Sequence, residues 1–145
     1  MSVINKLSPL RAHSGARRTP GLDDATLERF AASHPDLVEA IDAAVEAYEA
    51  IRKDHADLLD LDEDAQLQKV QAGFVNFYPQ DGVNPYVALT ARGAWIVTLK
   101  GAVLYDTGGY GMLGFGHAPA PVIDAMSKPQ ALANIMTPSV AQMRL

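Results

Sequence analysis

The fold of this chain turns on one stretch, Arg92 to Met126: RGAWIVTLKGAVLYDTGGYGMLGFGHAPAPVIDAM. Trp95, Val97 and Leu99 alternate with Ile96, Thr98 and Lys100, the period of a strand with one buried face. Lys100-Gly101 reads as a tight turn in which the glycine takes a positive φ. Ala102 to Tyr105 returns as the partner strand, and Asp106 closes it. A two-stranded hairpin is marginal by itself, so it must pack on helices or join a larger sheet. A loop follows, Thr107-Gly108-Gly109-Tyr110-Gly111, and Val122 to Met126 begins a helix.

The glycines Gly109, Gly111 and Gly114 spell a dinucleotide-binding fingerprint behind a strand. Three features exclude that reading. The preceding strand belongs to a hairpin and not to a strand-helix-strand unit. Pro119 and Pro121 keep a helix from opening directly behind the glycines, so no helix N-terminus meets a pyrophosphate. Asp124 is the last acid of the chain, which leaves none to hold a ribose. The phosphate-cradling lysine motif is absent as well. His117 has no metal-ligand spacing to His13, His34 or His55, and no local nucleophile motif exists. We read Asp106 and His117 as residues that hold the fold.

Upstream, Ser33-His34-Pro35-Asp36 looks like a helix start, with Ser33 accepting from the first free amides. Leu37, Ile41, Ala44, Val45, Tyr48, Ile51 and Leu58 then recur at helical steps, opposite Glu39, Asp42, Glu46, Glu49 and Arg52. This predicts an amphipathic helix over 34–58, about 37 Å long at ~1.5 Å per residue. Asp60 to Asp64 lacks the alternation, the central glycine and the terminal glutamate of a calcium loop. It reads as an interhelix turn, with an N-cap at Asp62 or Asp64. A short helix lined by Leu67, Val70 and Phe74 follows and ends near Gly73. Phe77 to Pro85 is irregular, broken by Pro79, Pro85 and Asp81-Gly82.

The resulting class is α+β: N-terminal helices plus a small antiparallel β-hairpin or sheet. The chain divides into a flexible arm (1–22), a helical lead-in (23–74), a loop, hairpin and glycine-rich segment (75–126), and a terminal stretch (127–145). Residues 1–22 carry Lys6, Arg11, Arg17 and Arg18 and no acid, whereas 23–69 hold fourteen acids against four bases. The net charge of -5 argues against a nucleic-acid binder. No apolar run approaches the ~18 residues of a membrane span. The absence of cysteine rules out thiolate chemistry and fits a cytoplasmic location.

The run from Val87 to Met126 resembles the N-terminal segment of class III pyridoxal-phosphate-dependent aminotransferases, enzymes of fold type I. The residues that carry the resemblance are Trp95-Ile96-Val97, Lys100-Gly101, Leu104-Tyr105-Asp106, Gly108-Gly109-Tyr110-Gly111, Gly116-His117 and Val122-Ile123-Asp124-Ala125-Met126. Thr98 and Lys100 depart from it, standing where the family carries an aspartate and an acid or amide. The resemblance implies the N-terminal part of a transaminase that moves an amino group from an amine or ω-amino acid to an oxo-acid. A related aminomutase or decarboxylase shares these features.

In such a parent, Tyr110 lines the substrate pocket, Gly109, Gly111 and Met112 shape the same wall, and Asn84 or Val83 lies opposite. The family's Schiff-base lysine lies downstream of this segment, and Lys128 has no desolvating surroundings of the kind an amine nucleophile needs. We therefore expect no catalytic residue and no metal ligand here. Pyridoxal 5'-phosphate is expected in the parent and none on this fragment. The partners implied are a small amine or amino acid and an oxo-acid, with homo-oligomerisation and no nucleic acid or membrane. The rival expectation is a non-catalytic interaction or oligomerisation module that uses the long amphipathic helix.

Overall fold

A computed structural model describes residues 1–73, 85–108 and 114–128. Five helices lead into a three-stranded sheet, and a sixth helix follows it. They are α1 (Val3–Arg11), α2 (Asp24–Ala31), α3 (Pro35–Asp54), α4 (Ala56–Leu59), α5 (Glu63–Gln71), β1 (Ala88–Arg92), β2 (Trp95–Thr98), β3 (Val103–Tyr105) and α6 (Ala120–Ser127). The chain is thus α+β, with helices and a small antiparallel sheet.

The strand order is β1-β2-β3, so the β2–β3 hairpin gains a third strand that the sequence pattern did not announce. Thr90 to Arg92 face Val97 to Trp95, and Ala88 faces Thr98 across an irregularity in register. On the other side Trp95, Ile96 and Val97 face Tyr105, Leu104 and Val103. The Lys100-Gly101 turn forms as expected: Gly101 sits at φ 72° and its amide donates to the Thr98 carbonyl. As the central strand, β2 is buried along its whole length. Trp95 to Lys100 are all buried, so the expectation of one buried face was too narrow. Trp95, Val97 and Leu99 join the helical core, which contains Leu37, Ile41, Ala44 and Tyr48 from α3.

The flexible arm drawn over 1–22 is corrected by the structure. Residues 3–11 form α1, and Val3, Leu7 and Leu10 are buried in the same core as the sheet. The sequence hides this because the apolar residues are few and Pro9 interrupts the pattern. Ser2 caps the helix by accepting from Asn5 N, and burial of side chains like Leu7 and Leu10 stabilises by about 1.5–3 kcal/mol each.

The rest of the basic segment runs as a strap over the acidic turn. Asp62 Oδ1 accepts from Ala16 N (2.6 Å), and Glu63 N donates to Ala16 O (2.9 Å). Glu63 Oε2 accepts from Arg18 N (2.6 Å) and Thr19 N (2.8 Å). Asp60 takes His13 and Ser14, and the Lys100 ammonium donates to Ser14 O (2.8 Å) and Leu59 O (3.0 Å). The excess acid of one segment and excess base of the other thus meet.

The long helix is shorter than the periodicity suggests. α3 starts at Pro35 and stops at Asp54; His55 leaves helical geometry at φ -142°, ψ 45°, and α4 turns Leu58 and Leu59 back into the core. Its N-cap is His34 and not Ser33, and it makes no side-chain cap bond. The His34 ring packs instead between Phe30 and Trp95, with centroids 5.4 and 5.7 Å away. In α5, Leu67 is buried as expected, but its companions are Glu63 and Gln66, while Val70 is exposed; Phe74 lies outside the described residues.

Candidate functional site

An open cleft of about 490 Å³ lies at the end of the sheet, lined by Gly93, Ala94, Tyr105, Asp106, Thr107, Gly108, Gly116 and His117. Its walls come from two elements brought together by backbone pairing. Gly93 and His117 exchange both hydrogen bonds, Gly93 N to His117 O (3.1 Å) and His117 N to Gly93 O (2.7 Å). This bridge brings the segment leading into α6 against the β1–β2 turn.

Contact that close requires glycine. Gly116 sits at φ 73°, and a Cβ there would stand 2.9 Å from the Gly93 Cα and carbonyl oxygen. Next to His117, Ala118 adopts φ 49°, a left-handed conformation unusual for a residue with a Cβ.

Within the cleft His117 Nε2 lies 2.9 Å from Asp106 Oδ2, and both side chains are about four-fifths buried. Asp106 Oδ1 accepts from Gly108 N (3.0 Å), and the Asp106 amide donates to Ala94 O (2.7 Å). The carboxylate therefore fixes both the imidazole and the first step of the glycine loop. Tyr105 packs edge-on against Trp95, with centroids 5.0 Å apart. Burial, and then the charge of Asp106, push the Tyr86 phenol above its ordinary pKa, so Tyr86 belongs to the surroundings of this carboxylate.

Asn84, Gly109, Tyr110, Gly111 and Met112, the residues expected to meet substrate, lie outside the described residues, as does Val83. Gly108, the residue before Gly109, is in the cleft wall. Asp106 and His117, read as unrelated fold-holding residues, are brought together. Gly93, Ala94, Thr107 and Tyr86 were not singled out. The Arg92-Gly93 step was the only available signal, and without β1 in view it did not read as a turn.

The chemistry of this set is hydrogen bonding and proton exchange at one imidazole oriented by a carboxylate. Among the described residues no group of three or more His, Cys, Asp or Glu is arranged to hold a metal ion. They do not fit pyridoxal phosphate either. Lys100 is the one described lysine buried in the interior, and its ammonium is spent on two carbonyl oxygens. Lys6 and Lys69 are paired with Asp42 and Asp57, and Lys128 is exposed. No step through that cofactor is assigned to these residues. Among the described residues no helix is long and apolar enough to cross a membrane.

Comparison of the chain with protein-family models, with curated proteins and with solved structures gave no match.

Proposed function

We propose that this chain is the N-terminal part of a class III pyridoxal-phosphate-dependent aminotransferase, and that it supplies a wall of the substrate cavity and no reacting group. The observation that carries the reading is the cleft. It opens at the end of β3, beside the residue that precedes Gly109 and Tyr110, where the resemblance expects substrate. Strand, glycine turn, strand, Asp106, glycine loop, Gly116-His117 and helix follow one another in the order that the resemblance describes. Asp106 and His117 keep that wall in shape through their mutual bond and the Gly93 bridge. Pyridoxal phosphate would supply the electron sink in the parent enzyme, held by residues outside this set. A cytoplasmic location accompanies the reading.

The test is the product of the uninterrupted reading frame that contains this chain, supplied with pyridoxal phosphate, an ω-amino acid and an oxo-acid. Amino transfer and a visible band from lysine-bound cofactor are expected of that product, and neither from the 145-residue chain alone. Cofactor capture with isomerised or decarboxylated product would assign the aminomutase or decarboxylase alternative. A reading-frame product that neither binds the cofactor nor changes the amine overturns the proposal.

One observation favours a non-catalytic interaction module as a second reading. No residue of α6 is buried, Met126 is 78% exposed, and Phe115 just before the helix is 82% exposed. Apolar side chains gathered on one exposed helix mark association surfaces. Concentration-dependent self-association in light scattering is expected on this reading, and a monomer at high concentration removes it.

A further inference from the structure

The basic strap forms a second cleft that the aminotransferase reading does not use. It measures about 520 Å³ and is lined by Arg11, Arg17, Arg18, Thr19 and Pro20, by Leu22, Asp23 and Asp24, and by Gly101 and Ala102 of the hairpin turn. That volume falls within the range of small-molecule sites. Three arginines and two aspartates stand on its walls.

The local pairing leaves one of the three arginines without a partner among the described residues. Asp23 is occupied as the N-cap of α2, accepting from Thr26 N (2.9 Å) and Thr26 Oγ1 (2.8 Å). Asp24 is paired with Arg11 Nη1 (2.7 Å), and Arg11 Nε donates to Gly101 O (2.9 Å). Arg18 is paired with Asp64 (2.7 Å) and donates to Pro85 O. Arg17 is exposed and makes no hydrogen bond or ion pair with any described residue. Behind the turn, the buried Lys100 ammonium bonds only to carbonyl oxygens; the charges of Asp60, Asp62 and Glu63 act on it ahead of a smaller repulsion from Arg17.

We propose that this cleft binds a small phosphate monoester or inorganic phosphate, with Arg17 as the principal ligand and the Nη2 donors of Arg11 as the second. A guanidinium presents a planar fork of donors that matches phosphate oxygens and stays charged at every accessible pH. Arg11 is held in place by Gly101 and Asp24, so only Arg17 loses freedom on binding. The site is separate from the cleft at His117 and shares no residue with it.

The experiment is calorimetric titration of the whole chain with inorganic phosphate and with glycerol phosphate, in low salt, with chloride at matched ionic strength as the control. Saturable binding is expected for both phosphates and not for chloride. Arg17→Ala should weaken it about tenfold or more, the scale of losing one charge-assisted contact, and Arg17→Lys should retain an intermediate affinity. Because Arg17 makes no hydrogen bond or ion pair with any described residue, neither variant should melt below the wild type in the absence of phosphate, and phosphate should raise the melting temperature of the wild type more than that of Arg17→Ala. Absence of saturable binding, equal affinity in Arg17→Ala, or an equal effect of chloride overturns the proposal.

Discussion

Replacing Glu63 by alanine tests whether the strap is built into the fold. Glu63 is 2% exposed, and its Oε2 accepts from the amides of Arg18 and Thr19. Alanine leaves both donors without an acceptor, at about 1–2 kcal/mol each for partly buried amides. It also removes Oε1, which has no partner and carries a desolvation cost of its own, so about 1 kcal/mol returns. The net loss is about 1–3 kcal/mol, against about 5–15 kcal/mol for a domain. With a urea slope of about 1.5–2 kcal/mol/M, the midpoint moves down by about 0.5–2 M. Urea unfolding followed by the fluorescence of Trp95, the one tryptophan, reports it.

The same variant carries a pH signature. Burial raises the Glu63 carboxyl pKa, but the hydrogen bonds from Thr19 and Arg18 and the Arg18 charge outweigh it, and the folded value lies below the ordinary 4.5. A depressed carboxyl stabilises fully above its unfolded pKa and loses that contribution as pH falls through the folded value. The gap between wild type and Glu63→Ala should therefore be widest at neutral pH and shrink below about pH 4.5. A variant within about 0.5 kcal/mol of wild type at pH 7, the scale of an ordinary surface substitution, would refute the strap argument.

Three further outcomes follow from the same geometry. Leu7→Ala should cost about 2–5 kcal/mol in urea unfolding, where a flexible arm would show no change. Gly116→Ala places a Cβ against the Gly93 backbone and should raise amide exchange at Gly93 and His117 while β2 and β3 keep their protection. Lys100→Met should flatten the alkaline limb of stability: burial holds the Lys100 amine below its ordinary 10.5 and outweighs the opposing charges of Asp60, Asp62 and Glu63, so the unfolded chain binds more protons there and wild-type stability rises as pH climbs toward that value.

The hairpin was legible because alternation at Trp95 to Lys100 and one turn glycine are local signals. β1 was not: ALTAR has two apolar-polar alternations at most and becomes a strand only by pairing with β2. α3 was legible from its stripe, but its end was not, because Leu58 keeps the helical step while the chain breaks at His55. The segment 1–22 looked unstructured because its polar anchors are mostly backbone amides donating to distant carboxylates, and no composition reveals them. The cleft at His117 shares that difficulty. Its members are legible one by one, but the Gly93–His117 pairing that unites them joins positions 24 residues apart (117 − 93).

The strap has one more consequence, through β3. Leu22 N donates to Val103 O (2.9 Å), and Gly21 lies against the Val103 backbone, so the first residue of the last strand is covered on its outer edge by the chain's own N-terminal segment. Without that cover, Val103 to Tyr105 would offer a bare template to an identical strand of another molecule. The hold of residues 21 and 22 on Val103 thus narrows the edge left open to strand addition.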